Sequence, residues 1–353
     1  MFIVDAHLDL SMNALDWNRD LTQPLSSIRN REKGLLDKPD RGQNVVTFEE
    51  LRKGNIGLVV ATQIARYVSE SNPLPGWHSP EQAWAHTQAQ RSWYQCMEDL
   101  GHLRLIDTKS KLQKHLDTWN QNTSPIGYIL SLEGADSLVN LTYLDKAYAY
   151  GLRAIGPAHY GPGRYSDGTD ANSHLHPEGK ELLKSMIDKK MILDVTHLCD
   201  LSFWDAMEIW TGPVWASHQN SRKIVNHNRQ HTDEQMKEVI RRGGVIGAAF
   251  DAWMLVPDWK RGISNPIDLK CNLEKVIDQI VYVCTLAGNT NHSGIGSDLD
   301  GGYGREQSPY DVQSICDLQL LIEKLMKRGF TNADIEKIMH RNWINLFLHS
   351  LPD

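Results

Sequence analysis

The sequence predicts an α/β fold, a (β/α)8 TIM barrel with insertions, and three observations lead to this prediction. Eight short apolar, β-branched runs alternate with helix-like stretches along the 353 residues, and such alternation is typical of a parallel sheet. Eight strands are also the number that closes a (β/α)8 barrel, which needs about 250 residues and leaves roughly 100 for insertions. No G-x-G-x-x-G motif follows the first run, which disfavours an open doubly wound sheet, the main structural alternative.

The eight predicted strands follow one another without a long linker, an internal repeat or a low-complexity segment. We therefore expect a single (β/α)8 domain over residues 1–353. The strands are predicted at residues 2–9, 56–65, 126–134, 152–160, 191–198, 214–220, 245–252 and 293–301.

Helix signals follow several of these strands. A proline in the first turn opens the stretch 176–190, and a Thr-Asp cap signal opens the stretch 232–242. Apolar periodicity over 331–351 predicts a closing C-terminal helix. The polar segment 11–52 and the tryptophan-rich segment 70–100 are the expected insertions.

Composition limits the class of partner and the location. The net charge of -7 and the absence of a basic block argue against nucleic acid or a membrane surface as a partner. No run of 18 apolar residues predicts a transmembrane helix, and no basic segment followed by an apolar one predicts a leader. Five scattered cysteines without a C-x-x-C pair favour free thiols, so we expect a cytoplasmic protein.

The first predicted strand has polar residues where a buried strand should be apolar. In V-D-A-H-L-D-L, Asp5, His7 and Asp9 share one face because side chains alternate along a strand. An edge strand with a wet face would explain this pattern. A metal site would also explain it, since imidazole beside carboxylate suits zinc and similar divalent ions.

Ionisable residues recur at the ends of the other runs, where barrel enzymes assemble their active sites. Histidine makes up only 15 of the 353 residues, yet four of the eight run ends have one. A convergent His/Asp/Glu set at one rim predicts a metal site of the metal-dependent hydrolase type. Beyond His7 and Asp9, the set is Glu133, His159, His197, His218, Asp298 and Asp300.

The number of candidate ligands at the run ends also indicates how many ions to expect. Five of these residues, namely three histidines, one aspartate and one glutamate, already exceed the three protein ligands that a single catalytic zinc typically needs. Two ions about 3.5–4 Å apart, bridged by a carboxylate and a hydroxide, would use all five. Glu133 is the natural bridge because a carboxylate offers two oxygens. We expect two divalent ions, with zinc as the first choice and other divalent metals left open.

The motifs at these run ends resemble those of the membrane (renal-type) dipeptidases, peptidase family M19. They read D-A-H-L-D, S-L-E-G-A, L-D-V-T-H, A-S-H and G-I-G-S-D-L-D-G, in the family's order and at similar spacing. The resemblance extends over nearly the whole chain. It implies a (β/α)8 barrel with a binuclear zinc site, in which Glu133 is shared between the two ions. His7 and Asp9 would complete one ion's ligands, and His197 and His218 the other's.

The same resemblance implies roles for further residues. His159 matches the histidine that reaches the substrate carbonyl and its oxyanion, and Asp298 matches the aspartate that exchanges a proton with water or the leaving amine. Arg229 matches the arginine that binds the substrate carboxylate, although its neighbours differ from the family's usual P-R-N. Arg222 is the competing candidate for this role.

Two departures from the family pattern affect substrate choice. Asp251 falls where relatives often have a substrate-facing tyrosine, so we expect it to contact the substrate and favour basic dipeptides. The stretch Y-G-P-G-R-Y over residues 160–165 replaces the usual sequence after His159. Asp5 and Asp300 are expected near the site, where each could orient a metal-binding histidine.

Together these features predict a metal-dependent dipeptidase that hydrolyses dipeptides with a hydroxide bridging the two ions. One alternative is a related amidohydrolase acting on another amide, a lactone or an ester, although such barrels often use a carboxylated lysine that no run end supplies. A more remote alternative is a non-catalytic binding protein with a vestigial site. Dipeptides are the expected partners, and the sequence leaves a homodimer open.

Overall fold

A computed structural model describes residues 1–38, 40–70 and 72–353. Within these ranges, nine strands form one parallel sheet. Eight of the nine correspond, in order, to the eight predicted strands. They are β1 (Ile3–Leu8), β2 (Ile56–Ile64), β3 (Leu103–Leu105), β4 (Ile126–Glu133), β5 (Leu152–Gly156), β6 (Ile192–Asp194), β7 (Val214–Trp215), β8 (Ile246–Ala248) and β9 (Ser293–Ile295).

The sheet curls into a barrel whose strand order is β7-β6-β5-β4-β2-β1-β9-β8. Its two ends meet where Ala216, just past β7, bridges Ile246 of β8. The Ala216 amide donates to the Val245 carbonyl at 3.0 Å, and the Gly247 amide donates to the Ala216 carbonyl at 2.9 Å. The predicted α/β barrel is therefore confirmed.

The strand β3 was not predicted. It pairs with the first residues of β4, while β5 pairs with the last residues of β4, so β3 lies beside the eight-strand path. A three-residue strand is too short to leave an apolar pattern that the sequence can reveal.

Helices occupy the connections between strands. The predicted helices at 176–190 and 232–242 form, and the closing helix at 331–351 is divided by a π-helical turn, Lys337–Arg341. The α-helices are α1 (Leu10–Leu15), α2 (Leu25–Glu32), α3 (Phe48–Lys53), α4 (Pro80–Asp99), α5 (Lys109–Thr118), α6 (Leu141–Ala149), α7 (Pro177–Asp188), α8 (Asp200–Ile209), α9 (Asp233–Arg241), α10 (Ala252–Leu255), α11 (Leu273–Ala287), α12 (Leu320–Lys327), α13 (Asn332–Glu336) and α14 (Asn342–Ser350).

Local sequence signals explain where these helices begin. Thr232 caps α9 in a reciprocal capping box with Gln235, and Ser79 caps α4 ahead of Pro80. The connections after β1 and β2 hold extra elements, namely α1 to α3 and then α4, β3 and α5. None of the helices in the described ranges reaches the length and hydropathy that a bilayer span requires.

Side chains alternate along β1, so its apolar residues lie on one face and its ionisable residues on the other. Val4 and Ala6 are fully buried in an apolar cluster that includes Trp343 and Phe347 of α14. His7 and Asp5, on the opposite face, are also buried. The polar face of the first strand thus points away from the helices, and the edge-strand explanation of its pattern does not apply because β2 and β9 flank it.

Candidate metal centre

The carboxyl ends of the strands surround a cleft of about 630 Å³. His7 is the penultimate residue of β1 and lies buried beneath the cleft floor, 3.6 Å from Glu133. Tryptophan and tyrosine side chains, among them Trp77 and Tyr160, form part of the wall. Eight other residues predicted for the site line the cleft: Asp9, Glu133, His159, His197, His218, Arg229, Asp251 and Asp298.

Glu133, the last residue of β4, lies at the centre of this group. Its Oε1 is 3.2 Å from Nε2 of His197 and 3.4 Å from Nε2 of His218, and these two nitrogens are 3.2 Å apart. Ligand atoms about 2.0–2.1 Å from a tetrahedral zinc ion are about 3.3 Å from one another. The spacing therefore fits one ion. We call His197, His218 and Oε1 of Glu133 the histidine-rich half of the centre.

The other oxygen of Glu133 faces a different group. Its Oε2 is 3.6 Å from Nε2 of His7, which is also 3.7 Å from Oδ2 of Asp9 and 3.7 Å from Oδ1 of Asp298. We call His7, Asp9, Asp298 and Oε2 of Glu133 the acidic half of the centre. Its spacings are wider and its donors are mostly oxygen, so Glu133 offers one oxygen to each half.

Two of these residues have backbone conformations that are uncommon for residues other than glycine. His197, after β6, has φ 68°, and Asp298, after β9, has φ 59°. Such conformations cost about 1–3 kcal/mol each and are concentrated at functional sites. Gly301 makes room for Asp298, because a Cβ at residue 301 would lie 1.8 Å from the aspartate Oδ1.

Neighbouring hydroxyl groups orient the candidate ligands. Thr169 Oγ1 is 3.0 Å from Nδ1 of His197, and Ser217 Oγ is 2.9 Å from Nδ1 of His218, so both rings present Nε2 to Glu133. The Thr62 hydroxyl donates to Oδ1 of Asp9. Neither ring nitrogen of His7 has a hydrogen-bond partner among the described residues. Buried nitrogen and carboxylate atoms left free in this way fit divalent metal ions.

Burial and neighbouring charges shift the pKa values of histidines in the two halves in opposite directions. Burial, reinforced by the positive charge of Arg229, lowers the pKa of His197 well below its usual value and keeps the ring neutral. Burial opposes protonation of His7, but the carboxylates of Glu133 and Asp9 outweigh it and raise its pKa to about 10. Burial raises the pKa of Glu133 to about 7. The first half offers lone pairs, whereas the second attracts positive charge.

His159 follows β5 and points its Nε2 toward the centre, 4.0 Å from Oε1 of Glu133. Its other ring nitrogen, Nδ1, is 2.6 Å from Nη2 of Arg66, a cleft residue that the sequence analysis did not find. Arg66 lies two residues beyond β2, directly after a run end without an ionisable group. This position directly after a predicted strand was the feature of the sequence that could have pointed to Arg66.

Arg229 is buried, and its guanidinium donates to Oε1 of Gln219 at 2.6 Å and to the His218 carbonyl at 2.9 Å. Within the described part of the chain, it forms no salt bridge with a carboxylate. Arg222, the competing candidate, makes two hydrogen bonds of 2.8 Å with the carboxylate of Asp200. Of the two arginines, Arg229 is the one that lines the cleft, where its positive charge opposes the rise in the pKa of Glu133.

Asp251 lines the cleft but already has structural partners. It caps α10 by accepting from the Trp253 amide at 3.4 Å, and Gln307 donates to the same Oδ1 at 2.8 Å. Burial raises the pKa of Asp251 to about 7. A contact between its carboxylate and a substrate stays a prediction.

The expectation that Asp5 and Asp300 orient metal-binding rings was wrong. Asp5 accepts from the backbone amides of His7 and Ser297, and Asp300 accepts from the backbone amides of Val45 and Val46. Asp5 also accepts from the Ser297 hydroxyl, and Asp300 also accepts from the Asn44 side-chain amide. These carboxylates therefore connect β1 to the segment after β9 and that segment to the loop before α3. They position the chain that bears the ligands.

Comparisons with known proteins identify the family of the chain. The family model described as membrane dipeptidase, peptidase family M19, matches residues 1–349. Dipeptidase tcpJ of Claviceps purpurea is 27% identical over 228 residues, which cover 62% of this chain and about half, 51%, of that protein.

Solved structures show the same fold. The structure of dipeptidase AC, a metallopeptidase of family M19, has a TM-score of 0.80 at 22% identity, covering 100% of this chain and 99% of that one. A Rhodobacter sphaeroides metallopeptidase, liganded with a phosphinate mimic of the dipeptide L-Ala-D-Ala, has a TM-score of 0.78 at 21% identity, covering 99% of each chain. The predicted family and metallopeptidase class are confirmed, and this chain belongs to the membrane dipeptidase family, peptidase family M19.

Proposed function

We propose that this chain, acting as one catalytic domain, hydrolyses the peptide bond of dipeptides with two divalent metal ions, zinc being the first choice. One observation supports this most strongly. Glu133 directs one oxygen to each half of the centre, beside a buried arginine that has no acidic partner among the described residues. A shared carboxylate suits a pair of ions, and the arginine suits the carboxylate of a short peptide.

The ligand assignment follows the two halves. His197, His218 and Glu133 would hold one ion, and His7, Asp9 and Glu133 would hold the other. When bound, such a pair of ions lowers the pKa of a water molecule toward neutrality and polarises the scissile carbonyl.

Three other side chains bind the substrate, stabilise the oxyanion and transfer the proton. Arg229 forms a two-bond pair with the free C-terminal carboxylate and so places the peptide bond over the centre. His159 donates a hydrogen bond to the carbonyl oxygen as negative charge develops on it. Asp298, whose side chain is 13% exposed at the cleft, accepts a proton from the attacking water and delivers it to the leaving amine.

The direct test compares a free dipeptide with its C-terminal amide on the purified, metal-loaded protein. Two charge-assisted hydrogen bonds of about 1.5 kcal/mol each correspond to roughly 100-fold in kcat/KM. The kcat/KM for Ala-Ala should therefore exceed that for Ala-Ala amide by about this factor. Arg229→Met should erase this difference, whereas the matched control Arg222→Met should keep it. Equal hydrolysis of both peptides by the wild-type protein, or hydrolysis of neither, would contradict the proposal.

A further inference from the structure

Arg66 is held in place by its own loop. Its backbone carbonyl accepts from the Trp77 amide at 2.8 Å, and its Nη1 donates to the Pro75 carbonyl at 3.0 Å. The guanidinium therefore reaches His159 from a fixed position, with its Nη2 at 2.6 Å from Nδ1 of the ring.

The chemistry of arginine decides which nitrogen of His159 has the proton. A guanidinium contains only donors, so Nη2 donates and Nδ1 must accept with its lone pair. A proton on Nδ1 would put two N–H groups against each other at 2.6 Å. The ring proton is thus on Nε2, the nitrogen that faces the centre.

This hydrogen bond separates His159 from the other histidines of the cleft. By distance alone, Glu133, His159 and His197 could also hold a metal ion. A protonated Nε2 has no lone pair to offer an ion, but it can donate a hydrogen bond. His197 and His218 differ because hydroxyl groups contact their Nδ1 atoms, and a hydroxyl can donate or accept.

We propose that Arg66 is a positioning residue that fixes His159 in its Nε2–H tautomer. The ring then serves as a hydrogen-bond donor to the developing oxyanion and stays out of the metal ligand set. This inference rests on the proposed dipeptidase function and extends it to a residue outside the catalytic set described above.

The tautomer can be measured directly. Two-bond 1H–15N NMR spectra of metal-free protein labelled in histidine, with His159→Gln to assign the signal, should show the proton on Nε2. Arg66→Met should give a mixture of tautomers, and Arg66→Lys should retain the wild-type form because lysine also donates. A proton on Nδ1 in the wild-type protein, or an unchanged ring in Arg66→Met, would overturn the proposal.

Kinetics test whether Arg66 acts through His159. Removing one oxyanion donor typically costs 10²–10³-fold in kcat, so Arg66→Met should lower kcat by roughly 10²-fold and change KM little. In the His159→Ala background, the same substitution should cost less than about twofold, since no donor remains for Arg66 to orient. An equal loss in both backgrounds would refute a role through His159.

Arg153→Met is the matched control for loss of a buried arginine. Arg153, on β5, donates to the backbone carbonyls of Asp107, Tyr148 and Leu152 and touches no residue of the centre. It should lower Tm and leave kcat unchanged. A wild-type protein that hydrolyses no dipeptide would refute the proposed function while the NMR result still decided the tautomer. Dipeptide hydrolysis at wild-type kcat by Arg66→Met would refute only the positioning role.

Discussion

The two halves of the centre share Glu133 and differ in almost everything else. In the histidine-rich half, three ligand atoms lie 3.2–3.4 Å apart, and the hydroxyls of Thr169 and Ser217 hold both rings. In the acidic half, carboxylate oxygens lie 3.6–3.7 Å from a histidine whose ring has no hydrogen-bond partner among the described residues.

This difference concerns the kind of ion that each half suits. Neutral imidazole nitrogens at tetrahedral spacing suit zinc, whereas oxygen-rich sites with wider spacing accept several divalent ions. The histidine-rich half is therefore expected to bind its ion more selectively and to release it more slowly. The acidic half has the larger negative charge and the residue proposed to move the proton.

Glu133→Ala should have the largest effect because it removes an oxygen from both halves at once. We expect metal content to fall from about two ions per chain to nearly none, with dipeptide hydrolysis falling below detection. Elemental analysis of protein purified without chelator measures this. Glu98→Ala is the control, since that carboxylate accepts from Tyr128 away from the cleft. Full occupancy of either half in Glu133→Ala would show that the halves are independent.

Single-ligand variants should separate the two halves. His218→Ala should leave about one ion per chain in the acidic half, and Asp9→Ala should leave about one in the histidine-rich half. Under graded chelator, the ion remaining in Asp9→Ala should be lost more slowly, because nitrogen donors at tetrahedral spacing hold zinc firmly. The comparison between the halves fails if the two variants lose their ions at the same rate.

Asp298→Asn tests whether Asp298, in the acidic half, transfers protons or binds metal. The amide keeps the shape but cannot accept a proton, and general acid–base groups contribute about 10²–10⁴-fold, so kcat should fall by that factor. Metal content should stay near the wild-type value if Asp298 transfers protons. Loss of one ion from this variant would instead make Asp298 a ligand.

Asp251→Asn should have the smallest effect. Because burial raises the pKa of Asp251 to about 7, its carboxyl is neutral well below that pH and charged above it. Dipeptides with Lys or Arg should therefore be preferred over those with Glu or Asp by about tenfold at pH 8, and less at pH 6. The variant should hydrolyse Ala-Ala normally and show no such trend in kcat/KM. A preference unchanged by the substitution would exclude Asp251 from substrate choice.

The sequence predicted the strands and the residues that meet at the centre of the cleft because one local pattern encodes both. In β1 and β4, for example, β-branched runs end in His7 and Glu133, and parallel strands bring such ends to one rim. Local patterns do not show contacts between distant residues. The contact between Arg66 and His159 joins residues 93 positions apart, and the contact between Thr169 and His197 joins residues 28 positions apart. Likewise, the sequence placed Asp5 near the site but could not show that two backbone amides and the Ser297 hydroxyl already use its oxygens.

The position of each half in the barrel has a consequence for the order in which the protein matures. His197 and His218 are 21 positions apart and follow β6 and β7, and β5 joins these strands to β4, which ends in Glu133. The acidic half needs β1 beside β9, a junction between residues 292 positions apart in which Ser297 donates to Asp5. Because closing so long a loop is entropically costly, we expect Asp298 to join His7 and Asp9 only when the C-terminal strand pairs with β1. The residue proposed to transfer the proton is thus expected to be the last of the centre to reach its place.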